Sequence, residues 1–205
     1  MEVNIFGEGA VGYKNIVKSS SSQDFFLYKK YKNYAVCTVA DGHSMDVFKY
    51  SHIGSYLACQ SVFEILKTYK LNEDIEKGEQ NFICDLKNKK VQNDIKNKWR
   101  DLVYREFYKR NYKVYKLDYM LFGTTLSFVI FLKEYIVFFN LGDSSILIKE
   151  DKDYVNVFKN NNFKFVNSLA LYNCEEKMQY NILKMNKDFK LVISTDGFIN
   201  SFETY

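Results

Sequence analysis

Residues 34–43 read YAVCTVADGH and residues 190–197 read KLVISTDG, so that twice an apolar, β-branched run ends on an Asp-Gly pair. Such runs predict buried strands, and each aspartate is then presented at the end of a rigid element. The glycine beside it lets the backbone, including its carbonyl, come close to a bound ion. Asp24, which opens a further strand after Ser21-Ser22-Gln23, is a third carboxylate at a strand end. Carboxylates converging in this way make an oxygen-rich site suited to Mg²⁺ or Mn²⁺ rather than zinc. A single Asp-Gly pair is an ordinary turn, so the weight lies in having two, each behind an apolar strand.

Working outward, strands are expected at Val3–Phe6, Phe25–Tyr31, Tyr34–Ala40, Thr124–Leu132, Tyr135–Asn140, Ser145–Lys149, Tyr154–Phe158 and Lys190–Ser194. Lys32-Asn33 and Lys133-Glu134 each join two of these runs closely enough for a hairpin, which favours antiparallel pairing. Between the strand groups, apolar residues at three-and-four spacing predict helices over Ser51–Tyr69 and Lys90–Asn111, and the polar stretch 71–89 reads as a loop with a short helix. Strands, two long helices, then strands again is the order of an α+β layered fold, a sheet sandwich with helices packed outside.

The length of 205 residues suits one domain, 1–205, with a large core. A hydrophobic fraction of 47% excludes a disordered chain. The net charge of +4 is spread over well-mixed charges, which excludes a clustered basic face for nucleic acid. The longest apolar runs, such as FVIFL at 128–132, are strand-sized, so no membrane span is expected. Cys37, Cys59, Cys84 and Cys174 form no C-x-x-C pair, and no secretory leader opens the chain. Both features fit reduced thiols and a cytoplasmic location.

VADGHSMDVFKYSHIGSYLA at 39–58 resembles the first Asp-Gly motif of the metal-dependent serine/threonine phosphatases of the 2C type, together with the helix after it. FGTTLSFVIFLKEYIVFFNLGDSSILI at 122–148 is similar to their Gly-Thr-Thr strand, hairpin and Gly-Asp-Ser turn, and LVISTDGFINSF at 191–202 to their late Asp-Gly motif. GYKNIVKSSSSQDFF at 12–26 resembles the Gln-Asp motif of the bacterial branch, and FVNSLALYN at 165–173 echoes a further segment of it. The matches follow the family's order along nearly the whole chain.

The resemblance implies a four-layer αββα sandwich and hydrolysis of phosphoserine or phosphothreonine in proteins by a metal-activated water, with no phosphoenzyme. It implies two Mn²⁺ or Mg²⁺ ions, with Asp41 bridging them, the Gly42 carbonyl ligating one, Asp196 holding the other, and Asp24 acting directly or through water. His43 would be the general acid for the leaving oxygen, and Lys18 would bind phosphate where relatives commonly carry an arginine. Asp143 would be a turn carboxylate, Thr124 and Thr125 would shape the sheet near the site, and His52 would pack or cap its helix. Asp118 is expected in a solvated loop, with a third, weaker metal site as the alternative. The partners implied are a phosphorylated protein and a cognate kinase. Relatives continue past the late Asp-Gly with a final Asp-Asn strand, so the expectation is either a fragment or a minimal, C-terminally shortened domain that lacks one ligand. An impaired member serving as a binding or regulatory module is therefore the competing reading.

Overall fold

A computed structural model describes residues 3–11, 22–110, 116–150, 153–158, 166–185 and 190–201. The strands are β1 (Phe25–Lys30), β2 (Ala35–Ala40), β3 (Leu126–Phe131), β4 (Tyr135–Leu141), β5 (Ser145–Glu150), β6 (Asp153–Asn156), β7 (Gln179–Lys184) and β8 (Leu191–Ser194). The helices are α1 (Ser51–Thr68), α2 (Ile75–Lys87), α3 (Lys90–Lys109) and the short α4 (Asp196–Asn200). One sheet runs β1-β2-β3-β4-β7 and the other β6-β5-β8, and all the pairings are antiparallel.

The period of two along the central strands decides what packs where. In β3, Leu126, Phe128 and Ile130 face a large core shared with α1, α2 and α3, whereas Val129 faces a smaller core against the second sheet. In β4, Val137, Phe139 and Leu141 go to the helices, and Ile136 and Phe138 go to the second sheet. Burial on both faces is why these strands read as continuous apolar runs instead of alternating ones. The Phe128 and Phe139 rings stack at 4.3 Å on the helix side. The second sheet supplies Ile146, Ile148, Leu191 and Ile193 to the smaller core. The described residues thus build one helix layer and two sheets, the α+β sandwich read from the sequence.

Both hairpins form as expected, with Lys30 paired to Ala35 and Phe131 to Ile136. Three local expectations are corrected. Val3–Phe6 forms no strand; the glycines that follow it, Gly7 and Gly9, come close to the Phe26 ring of β1. The stretch 71–89 contains the thirteen-residue α2, N-capped by Asp74 through Lys77 N–H and buried along Gly78, Phe82 and Leu86. Finally, β7 was not expected, because its mostly solvent-facing side chains carry no clear alternation.

Candidate metal centre

Asp41 follows β2 directly, and its backbone is held by the start of the β3 segment. Its N–H donates to Thr125 Oγ1 at 2.9 Å, and its carbonyl accepts from Thr125 N–H and Thr124 Oγ1, each at 2.9 Å. Thr124 and Thr125 are fully buried, so these bonds are shielded from competing water. They bear out the expected shaping role of the two threonines. Gly42 pairs across with Thr124 as an isolated bridge and donates its N–H to the Gln23 carbonyl at 3.2 Å. A Cβ at Gly42 would fall 2.7 Å from that carbonyl oxygen and 2.9 Å from the Ser51 backbone, so only glycine fits.

Gln23, the glutamine of the Gln-Asp motif at 12–26, ties this turn to α1. Its Nε2 donates to the His43 carbonyl at 3.2 Å and to Ser51 Oγ at 3.1 Å, and its own carbonyl accepts from Ser55 Oγ at 2.6 Å. The next residue, Asp24, is thereby delivered beside Asp41. Thr195 Oγ1, just before Asp196, donates to Asp24 Oδ2 at 3.5 Å, so the end of β8 reaches the same place. Asn200 Nδ2 donates to Asp196 Oδ2 at 3.2 Å from the next turn of α4.

The structure therefore brings Asp24, Asp41 and Asp196 together, and Asp143 joins them from the turn between β4 and β5. Their mutual influence appears in the carboxyl pKa values. Asp41 is pushed up to about 9, first by burial, then by the Asp24 charge and hydrogen bond, and further by Asp196 and Asp143. Asp24 is raised chiefly by desolvation, with the Asp196 charge adding to it and the hydrogen bonds from Asp41 and Thr195 opposing. Asp143 is raised by desolvation and then by Asp196 and Asp24, although its side chain still reaches solvent. Asp143, in its turn, lies close enough to feel the Asp196 and Asp24 charges, and the sequence offered for it the same cue as for Asp41 and Asp196: a carboxylate beside glycine behind an apolar strand.

Like charges crowded at a solvent-open rim suit an all-oxygen site for a hard divalent cation, which would relieve the repulsion. Among the described residues no three or more His, Cys, Asp or Glu side chains are already arranged to hold a metal ion, so the rim is open rather than a finished cage. The His43 ring packs edge-on against Phe48 at 4.7 Å, and burial lowers its pKa below the usual imidazole value. Lys18 lies outside the described residues. Asp118 caps the 3₁₀ turn Tyr119–Phe122 by accepting from Met120 N–H at 2.9 Å, which accounts for its carboxylate without a metal. His52 is exposed on α1, whose N-terminus has no side-chain cap.

Comparison with known proteins bears on the fold and the family. The chain is similar in fold to a serine/threonine phosphatase from S. agalactiae (18% identity, 88% of this chain and 76% of that one, TM-score 0.54). It is similar also to the catalytic domain of the serine/threonine phosphatase PstP in complex with 2 manganese ions (12% identity, 86% and 72%, TM-score 0.53). RsbX in complex with magnesium is a further match (16% identity, 87% and 68%, TM-score 0.50). No curated protein matches the sequence. The family model described as Protein phosphatase 2C matches residues 11–205. The chain belongs to the protein phosphatase 2C family.

Proposed function

We propose that residues 1–205 form one metal-dependent phosphatase domain that hydrolyses phosphoserine and phosphothreonine in proteins. The observation that carries this reading is the convergence of Asp24, Asp41 and Asp196 from three strand ends, joined through the Thr195 Oγ1 to Asp24 Oδ2 bond at 3.5 Å. Asp41, Asp24, Asp196 and the Gly42 carbonyl would hold two Mn²⁺ or Mg²⁺ ions; of the similar structures, RsbX is in complex with magnesium and the PstP catalytic domain with 2 manganese ions. Bound there, the ions supply an activated water for in-line attack on phosphorus and neutralise the phosphoryl oxygens, with no phosphoenzyme.

The chain's own residues do the positioning. Thr124 and Thr125 fix the Asp41 backbone, and Gln23 locks the Gly42–His43 turn to α1. His43 is assigned the proton for the leaving serine or threonine oxygen, and Lys18 the grip on substrate phosphate. Burial lowers the His43 pKa, which favours the neutral ring over the acid form. The open rim admits a protein surface, consistent with a phosphoprotein partner made by a cognate kinase. Among the described residues no helix is long and apolar enough to cross a membrane, which accords with the cytoplasmic location proposed.

The open spacing of the carboxylates favours a second reading, a catalytically impaired member that binds or regulates. Hydrolysis of p-nitrophenyl phosphate separates the two. The active reading expects turnover that needs Mn²⁺ and is lost in Asp41→Asn and Asp196→Asn, and turnover that persists in EDTA would overturn it. A folded chain that takes up no Mn²⁺ at millimolar concentration by calorimetry establishes the second reading.

A further inference from the structure

Thr124 Oγ1 donates to the Asp41 carbonyl at 2.9 Å, and Gly42 lies across from Thr124 in the bridge. What holds Thr124 itself comes from a distant part of the chain. Its N–H donates to Ser168 Oγ at 3.1 Å, and its carbonyl accepts from Ser168 Oγ at 3.2 Å and from Leu169 N–H at 2.9 Å. The same Ser168 oxygen accepts from Ala170 N–H at 3.3 Å, which closes the loop on itself. Ser168 is 3% exposed and Thr124 0%, so water cannot replace the hydroxyl. The loop is also anchored away from the site, where Arg100 donates to the Leu171 carbonyl at 3.3 Å and Lys96 pairs with Glu175 at 2.8 Å.

We propose that Ser168 is a positioning residue for the Asp41–Gly42 turn, acting through Thr124 to set the carbonyl and carboxylate that the turn offers to a divalent cation. The proposal rests on the metal-dependent reading of the site. A single hydroxyl that accepts from the N–H of one residue and donates to the carbonyl of the same residue holds the two peptide units that flank it. Its removal leaves the Thr124 N–H without this acceptor and frees the strand start on which the turn is registered. Thr124 stands one step behind the turn, where a lost group typically changes metal affinity by about 10- to 100-fold, and Ser168, acting through it, is expected at the low end of that range.

The test is calorimetric titration of Mn²⁺ into the full chain, well below its melting temperature. Ser168→Ala is expected to bind Mn²⁺ at least about tenfold more weakly than wild type, and Ser168→Thr, which keeps the hydroxyl, within about threefold. Ser61→Ala is the stability control, because Ser61 Oγ is equally buried but donates at 2.7 Å to the Ala58 carbonyl within α1. It is expected to lower the melting temperature and leave Mn²⁺ affinity unchanged. Wild-type affinity in Ser168→Ala, or an equal loss in Ser61→Ala, overturns the proposal while the metal-dependent reading stands. No uptake by wild type overturns that reading itself and the role of Ser168 with it. Should Ser168→Ala not fold, Ser168→Cys takes its place against the same threshold, since a thiol fills the volume but accepts weakly.

Discussion

At Asp41, burial and the charges of Asp24, Asp196 and Asp143 all act in one direction, pushing the carboxyl from the ordinary 3.8 up to about 9. In that window the metal-free native chain keeps a proton that the unfolded chain has released. Its stability therefore falls as pH rises, and the loss is complete only above the folded value. Urea unfolding in EDTA should give a lower midpoint at about pH 8 than at about pH 5, and Asp41→Asn should flatten that slope. An unchanged slope in the variant would place the proton elsewhere. The two Asp-Gly glycines should also part company. A Cβ at Gly42 meets backbone at 2.7 Å, so Gly42→Ala is expected to cost about 1–3 kcal/mol in chemical denaturation. Nothing lies within 4 Å of the same atom at Gly197, which sits in α4, so Gly197→Ala should be neutral or mildly stabilising. This difference was not legible in the sequence, where both pairs look alike. Asp24, Asp41 and Asp196 were legible because each abuts an apolar run. Gln23 and Ser168 lay in the segments that carry the resemblance, but what they hold was not legible, because their partners lie 28 and 44 residues away and leave no local pattern.

Among the elements, α1 is the hinge between the sheet and the outer helices. Its Gly54 carbonyl accepts from Trp99 Nε1 of α3 at 3.0 Å, and a Cβ at Gly54 would stand 1.9 Å from the Phe122 carbonyl oxygen. Trp99 is 0% exposed, so Trp99→Phe removes the indole bond to the Gly54 carbonyl and leaves a void, and should cost about 1–3 kcal/mol by urea unfolding. Gly54→Ala must separate α1 from the turn before β3 and should cost at least as much; a smaller loss than Trp99→Phe would mean the seam relaxes. The long helices and central strands could be read from sequence because burial imposes a strong period on them. The helix α2 was expected only as a short helix within a loop, because its buried stripe, Gly78, Glu79, Phe82 and Leu86, is narrow and includes a charged residue. The strand β7 is held by one neighbour at the sheet edge, so pairing with β4 rather than composition makes it a strand. Val3–Phe6 has strand composition but no hydrogen-bonding partner, the reverse case.

Across the whole molecule, the carboxylates come from both sheets. Asp24 and Asp41 flank strands of the five-stranded sheet, whereas Asp143 and Asp196 flank β5 and β8 of the three-stranded one. The order of strand groups around the helices announced a sandwich, but which edge of each sheet would meet depended on the long-range pairing of β5 with β8, which no local motif encodes. A cation held at that junction would tie one sheet to the other, so its effect should be global rather than confined to a loop. Mn²⁺ at a hundred times its dissociation constant is expected to stabilise the chain by about 2.7 kcal/mol, seen as a rise in melting temperature that EDTA reverses. Amides of β5 and β8 should gain hydrogen-exchange protection together with those of β2, because opening either sheet would release the ion. Asp196→Asn should abolish the gain in both sheets, although the substitution lies on only one. Protection confined to β8, with β2 unchanged, would show that the ion binds one sheet alone and that the carboxylates do not act as a single site.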